Sequence, residues 1–191
     1  MSPATYPLRG HQLGYRPKTN SYDAWTPAMW EQYVRDLVVF GTPHPMGRFD
    51  ATLHGILHCC VRPVLVVPGE ALPIERALLA YDGGTKAREA LFVAAYLAER
   101  WEIPLVVVSV GNLSSEAIDY AKRYLDMHEV QADFVQRTGS VEQGILVTAE
   151  EHSCSLIITG AHGSTAVREA VLGSDVTRVL RESRWPVLVC R

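Results

Sequence analysis

The sequence lacks an excess of positive charge and any long apolar run. Lys and Arg number 18 against 21 Asp and Glu, for a formal net charge of −3. That leaves no basic footprint for nucleic acid. No apolar stretch approaches the roughly 20 residues that a membrane-crossing helix requires. Residues 1–20 are polar and rich in Pro, Gly and Tyr, without the apolar core of a signal peptide. The four cysteines, Cys59, Cys60, Cys154 and Cys190, form no Cys-x2-Cys pair. A disulfide framework is therefore not indicated, and free thiols in a cytoplasmic protein are expected. Two catalytic signatures are also missing, the Gly-x4-Gly-Lys-Ser/Thr phosphate loop and the Gly-x-Ser-x-Gly nucleophile elbow. What is there is 191 residues, 48% apolar and 20% charged, which suits a globule with a real core.

Apolar runs alternate with helical periodicity along most of the chain. Residues 1–26 carry no periodicity and read as an arm. Thr26-Pro27 reads as a helix start, with the helix reaching Arg35. Leu37 to Gly41 is a buried strand, Ala51 to Val61 a helix, and Pro63 to Pro68 another strand. Residues 69–75 form a linker. Arg76 to Tyr81 is then a strand ending in Asp82-Gly83-Gly84-Thr85. Lys86 to Trp101 is a helix whose Ala87, Ala90, Leu91, Ala94, Leu97, Ala98 and Trp101 keep a three-four spacing. Leu105 to Val110, apolar but for Ser109, is a strand. Ser114 to Met127 is a helix with Ser114 as its cap, Gln131 to Arg137 a strand, and Ser140 to His152 a helix. Ser155 to Thr159, a helix from Asp175 to Arg184, and Pro186 to Cys190 complete the pattern. Strands alternating with helices over short loops imply an α/β fold with a doubly wound, parallel, five-stranded sheet.

The chain also repeats itself. Asp36-Leu37-Val38-Val39-Phe40-Gly41-Thr42 matches Ser155-Leu156-Ile157-Ile158-Thr159-Gly160-Ala161 at an offset of 119. The Pro-Val-Leu-Val core at Pro63 matches that at Pro186 at an offset of 123. The first copy is thus about four residues shorter between its strands and lacks the earlier elements of the second. Residues 27–68 read as a partial, degenerate copy of the domain at 76–191. If the last strands of the two copies join them, Leu37 to Phe40 is left as an apolar edge. Such an edge invites pairing, so a homodimer is expected.

Between the strand at Ser155 and the helix at Asp175 lies Gly160-Ala161-His162-Gly163, then Ser164 to Leu172 and Gly173-Ser174. Glycines let backbone N–H groups approach a ligand, and a helix N-terminus favours an anion. The spacing Gly-x2-Gly-x9-Gly-Ser resembles the nucleotide-binding fingerprint of the universal stress protein family. Leu78-Leu79-Ala80-Tyr81-Asp82-Gly83-Gly84, ahead of an Ala-rich helix, is similar to that family's first strand and its Asp. The resemblance implies a nucleotide-binding fold of the adenine nucleotide alpha hydrolase-like type, and residues 27–68 look like the end of a second copy, as in tandem members. Domains of the family pair antiparallel through their last strands, which implies Pro63 to Val67 against Pro186 to Cys190.

Carried over residue by residue, the resemblance places Ala80, Asp82 and Gly83 near ribose and base, and Val110 at the adenine through its backbone. Gly160, His162, Gly163, Arg168, Gly173, Ser174 and Asp175 fall around the phosphates. The implied ligand is ATP or another adenine nucleotide, with or without Mg2+, and the implied role is stress-response regulation through conformation or an unidentified protein partner. Several positions have a plainer reading: Asp82 as a helix-capping turn residue, His162 and Arg168 as solvated loop residues, Lys86 as a surface charge. Gly84 departs from the Ser common in the family. The first copy does not keep the fingerprint, because His44 replaces its second glycine and Ile56 follows Gly55, so it reads as structural.

Three rival readings stand beside this one. His54 and His58, with Cys59, have a metal-ligand spacing on one helix but no acidic partner. Asp82-Gly83-Gly84-Thr85 is similar to the Ser-Gly-Gly-x-Asp loop of ATP pyrophosphatases, without its Ser and second Asp. No catalytic residue is visible, so at most a slow ATP hydrolysis is expected. The third alternative is an interaction module of the same fold with an empty pocket, whose loops typically lack the glycines present here.

Overall fold

The computed structural model describes residues 32, 36–42, 51–69, 73–161 and 174–190. The expected arm, most of the helix from Pro27, and the loop residues His162, Gly163, Arg168 and Gly173 lie outside the described residues. So do the side chains of His54, His58 and Ser174.

Seven strands and five helices follow in order: β1 (Val38–Thr42), α1 (Ala51–Cys59), β2 (Val64–Pro68), β3 (Ala77–Ala80), α2 (Thr85–Trp101), β4 (Leu105–Val110), α3 (Ser115–Met127), β5 (Ala132–Arg137), α4 (Val141–Glu151), β6 (Leu156–Gly160), α5 (Ser174–Glu182) and β7 (Val187–Cys190). They form one sheet in the order β1-β2-β7-β6-β3-β4-β5. Every pairing is parallel except β2 with β7, which is antiparallel with Val64 opposite Val189 and Val66 opposite Val187. The five strands expected of one domain are thus extended by two, across the seam that the resemblance implied. β1 pairs β2 as β6 pairs β7. Partners Val38 and Val64 are 26 residues apart, and Ile157 and Val187 are 30 apart, which reproduces the four-residue difference.

Helices cover both faces of this part of the sheet, so its central strands can be buried on both sides: β4 is buried from Leu105 to Ser109 and β6 along its whole length. α2 and α3 pack on one face, where Leu79, Val107 and Ile158 meet Leu91, Ala94, Ala121 and Leu125. α1, α4 and α5 pack on the other, where Leu78, Val106 and Ile157 meet Leu53, Ile145, Ala149 and Val179. The expected apolar face of α5, Val176, Val179 and Leu180, is buried. At the edge, β5 is only partly buried.

Helix starts follow from capping. Ser114 Oγ accepts the Ala117 N–H at 3.3 Å, as its position suggested. Ser140 Oγ does the same for Gln143 N–H at 3.4 Å. The end of α2 turns through Glu102 in the left-handed conformation, its N–H donating to the Ala98 carbonyl. One periodic position departs from expectation. Trp101, placed on the inner face of α2 by its spacing, is 45% exposed, because it ends the helix and one side of its ring stays in solvent. The rest of α2 is more enclosed than its stripe implied, with Phe92, Val93 and Ala95 buried as well.

Candidate functional site

Strand order reverses at β3: the chain moves from β3 to β4 and β5 on one side, then returns to β6 and β7 on the other. At such a point the loops leaving neighbouring strands diverge and a crevice opens at the carboxyl ends. Register brings the strand ends level there. Ala80 lies beside Val108 and Thr159, with β4 running on to Val110 and β6 to Gly160. Ala80 and Val110 are half-buried on the face covered by α4 and α5, forming a shallow apolar floor.

The chain leaving β3 divides its side chains between the two faces. Tyr81 N–H donates to the Val108 carbonyl at 2.9 Å, and its ring is buried in the core between α2 and α3. Burial pushes the phenol above its ordinary pKa, with Arg88 acting in opposition. Asp82 Oδ1 accepts the Gly84 N–H at 2.9 Å, an Asx turn that leads into α2. Gly84 caps that helix with no side-chain hydrogen bond. The plainer reading of Asp82 is therefore realised for one oxygen. Gly83 adopts φ +78°, and a Cβ there would lie 2.8 Å from Ala117 Cβ, so the turn and the approach of α3 both require glycine.

Gly160 has a comparable constraint. A Cβ on it would fall 2.6 Å from the Lys86 carbonyl carbon and 2.7 Å from its oxygen. Its bare Cα is used by the first turn of α2, a packing role that its place in the glycine pattern did not suggest. Beyond it Ala161 N–H donates to the Cys190 carbonyl at 2.8 Å, extending the β6–β7 pairing into the loop. The next described residue is Ser174, the first of α5, with Asp175 in the first turn.

Residues 111–191 match the model of the universal stress protein family. The C-terminal part of the chain is therefore similar to that family. A universal stress protein of Synechocystis sp. is 28% identical over 150 residues, which cover 76% of this chain and 52% of that protein. A universal stress protein structure from Archaeoglobus fulgidus superposes with a TM-score of 0.68 at 22% identity, covering 86% of this chain and 64% of that one. A universal stress protein solved in complex with cAMP superposes with a TM-score of 0.53 at 16% identity, covering 63% of this chain and 98% of that one. This chain therefore spans about half the length of the Synechocystis relative and under two thirds of the Archaeoglobus chain.

Ala80, Asp82, Gly83, Val110 and Gly160 gather at one edge of the sheet. Lys86, expected as a surface charge, is partly exposed and also paired. Its Nζ donates to Glu89 Oε1 at 2.7 Å, and the Glu89 side chain is 3% exposed. Sequence reasoning missed Glu89 because it lies within the alanine-rich run of α2 and carries no motif. It also missed Gly144 in α4, whose backbone is pressed against Val110. The only signal was a glycine inside a helical pattern. As for a metal, Cys59 is exposed on α1, and no group of three His, Cys, Asp or Glu side chains suited to a metal ion occurs among the described residues.

A cavity of about 570 Å3 lies away from this crevice, lined by Glu99, Glu102, His128 and Glu129 around the ends of α2 and α3. Carboxylates and helix C-termini give it a negative field, which would repel a phosphate. No helix among the described residues is long and apolar enough to cross a membrane.

Proposed function

We propose that this protein binds an adenine nucleotide, ATP by the family pattern and with or without Mg2+, in the crevice at the ends of β3, β4 and β6. It acts as a cytoplasmic stress-response regulator whose nucleotide state alters its conformation or its protein partner, without designed catalysis. The observation that carries this reading is the meeting of three strand ends where strand order reverses, with the Gly-x2-Gly-x9-Gly-Ser segment leaving one of them. The cAMP complex of a relative of this fold supports the ligand class. Asp82 would accept from ribose hydroxyls, Val110 would flank the base, and the segment from Gly160 through His162, Gly163, Arg168 and Gly173 to Ser174 would hold phosphate. Asp175 would contribute its backbone N–H alone, since its carboxylate repels an anion.

The test is to denature purified protein and identify any released nucleotide, then to titrate ATP and magnesium by calorimetry. Close to one adenine nucleotide per chain is expected, and Gly163→Trp should abolish it. A stoichiometry of two, or a folded protein that neither carries nor binds nucleotide, overturns the reading.

Residues 27–68 serve, on the same proposal, as a structural partial copy joined through the β2–β7 seam. β1 then ends the described sheet with no charged residue and with Val39 62% exposed. Natural edges of this kind are usually blunted or paired, and a second copy of the chain would pair this one. Light scattering should give the dimer mass; a monomer at high concentration would rule the pairing out.

A further inference from the structure

Glycine is a poor residue for a helix interior, since it sacrifices more backbone freedom than alanine and packs nothing. Gly144 is nonetheless buried within α4. A turn does not explain it, because its φ is not in the left-handed region. Close approach does. A Cβ on Gly144 would lie 2.6 Å from Val110 Cγ2 and 3.4 Å from both Val110 Cγ1 and Arg137 Cβ.

Those two neighbours differ in their freedom. Arg137, opposite Val110 in the β4–β5 register, is tied to α4: its Nε donates to Thr148 Oγ1 at 3.1 Å and its guanidinium pairs with Glu151. Thr148 in turn donates to the Gly144 carbonyl at 2.6 Å. Val110 is half-buried and ends its strand at the crevice. α4 lies behind its side chain and Arg137 beside it, so both of those directions are closed.

We propose that Gly144 is a positioning residue for the base end of the crevice. Its bare Cα lets the Val110 side chain tuck against α4, which keeps the slot at the end of β4 deep enough for a purine ring. This rests on the nucleotide reading above and names what admits the base.

The experiment is calorimetric titration of the full chain and its variants with ATP, adenosine and CTP. Gly144→Ala should weaken ATP and adenosine by roughly tenfold or more, the usual effect of one misplaced methyl in an apolar pocket. CTP, with its smaller ring, should lose less, so the preference for ATP over CTP falls. The double variant Gly144→Ala/Val110→Ala removes both methyls that the new Cβ meets and should restore ATP affinity and that preference. A folded Gly144→Ala protein with unchanged ATP affinity overturns the proposal. So does an equal loss for ATP and CTP that the double variant fails to reverse, the mark of general destabilisation. Should Gly144→Ala not fold, the double variant decides: folded with ATP bound supports the proposal, and any other result overturns it. If the wild type binds no nucleotide, the functional reading falls and takes this one with it. If the wild type binds ATP and Gly144→Ala binds it equally well, this one falls alone.

Discussion

The Gly160→Ala substitution adds one methyl group where β6 passes beneath the first turn of α2. That methyl would meet the Lys86 carbonyl carbon at 2.6 Å, its oxygen at 2.7 Å and its Cβ at 2.9 Å. Comfortable carbon contacts begin near about 3.5 Å, so helix and strand would have to part by roughly 1 Å. Two of the three obstructing atoms are backbone, and no change of rotamer can relieve them. Overpacking of this kind costs about 1–3 kcal/mol. The upper end applies here, because α2 lies across β3, β6 and β7 and moving it loosens contacts on all three. For a chain of this length, about 3 kcal/mol lowers the melting temperature by roughly 6–12 °C. Gly55→Ala is the control. Gly55 lies exposed in α1 with nothing within 4 Å of an added Cβ, so the variant should gain up to about 1 kcal/mol from helix propensity alone. Urea and thermal unfolding followed by circular dichroism would read both. A Gly160→Ala protein as stable as the wild type would refute the close packing of Lys86 on β6. If that stable variant also lost nucleotide, the glycine would belong to the ligand instead.

Removing Lys86 leaves the buried Glu89 carboxylate without its ammonium partner. Lys86→Ala should therefore cost about 3 kcal/mol, and Lys86→Met/Glu89→Leu should recover most of it; equal melting curves for Lys86→Ala and wild type would show the pair to be idle. Glu142, buried at the start of α4, has its carboxyl pKa raised by burial and then by its hydrogen bond to Glu182. The folded state therefore holds that proton more tightly than the unfolded chain, and stability falls as pH rises from the unfolded value through the raised one. Urea midpoints measured between about pH 4 and 7 should show a slope that Glu142→Gln reduces, and an unchanged slope would exclude this group as its source. Burial also raises the Cys154 thiol to about 11, and Cys190 is pushed up further. A thiol reagent at neutral pH should modify Cys59 and Cys60 in the native protein and all four only after unfolding; rapid native labelling of Cys154 or Cys190 would contradict their burial.

Much of this architecture is local and was therefore readable along the chain. The apolar run from Leu105 to Val110, the stripe of Val176, Val179 and Leu180, and the cap at Ser114 each depend on spacing within a few residues, and each is realised. The internal repeat was legible for the same reason, and the family resemblance implied the antiparallel seam that joins β2 to β7. The positions carried over from the family pattern that are described also share one edge of the sheet, because strand ends in a parallel sheet have no other place to be. Spacing could not say what each glycine makes room for. Gly160 yields its bare Cα to Lys86, Gly83 to Ala117 and Gly144 to Val110, partners separated from them by tens of residues. Nor could periodicity, which records which residues face inward, place Glu89 in the core or leave Trp101 half in solvent. The separation of a strand and a helix is set by all the side chains between them, so only the packed structure decided which residues meet at the crevice.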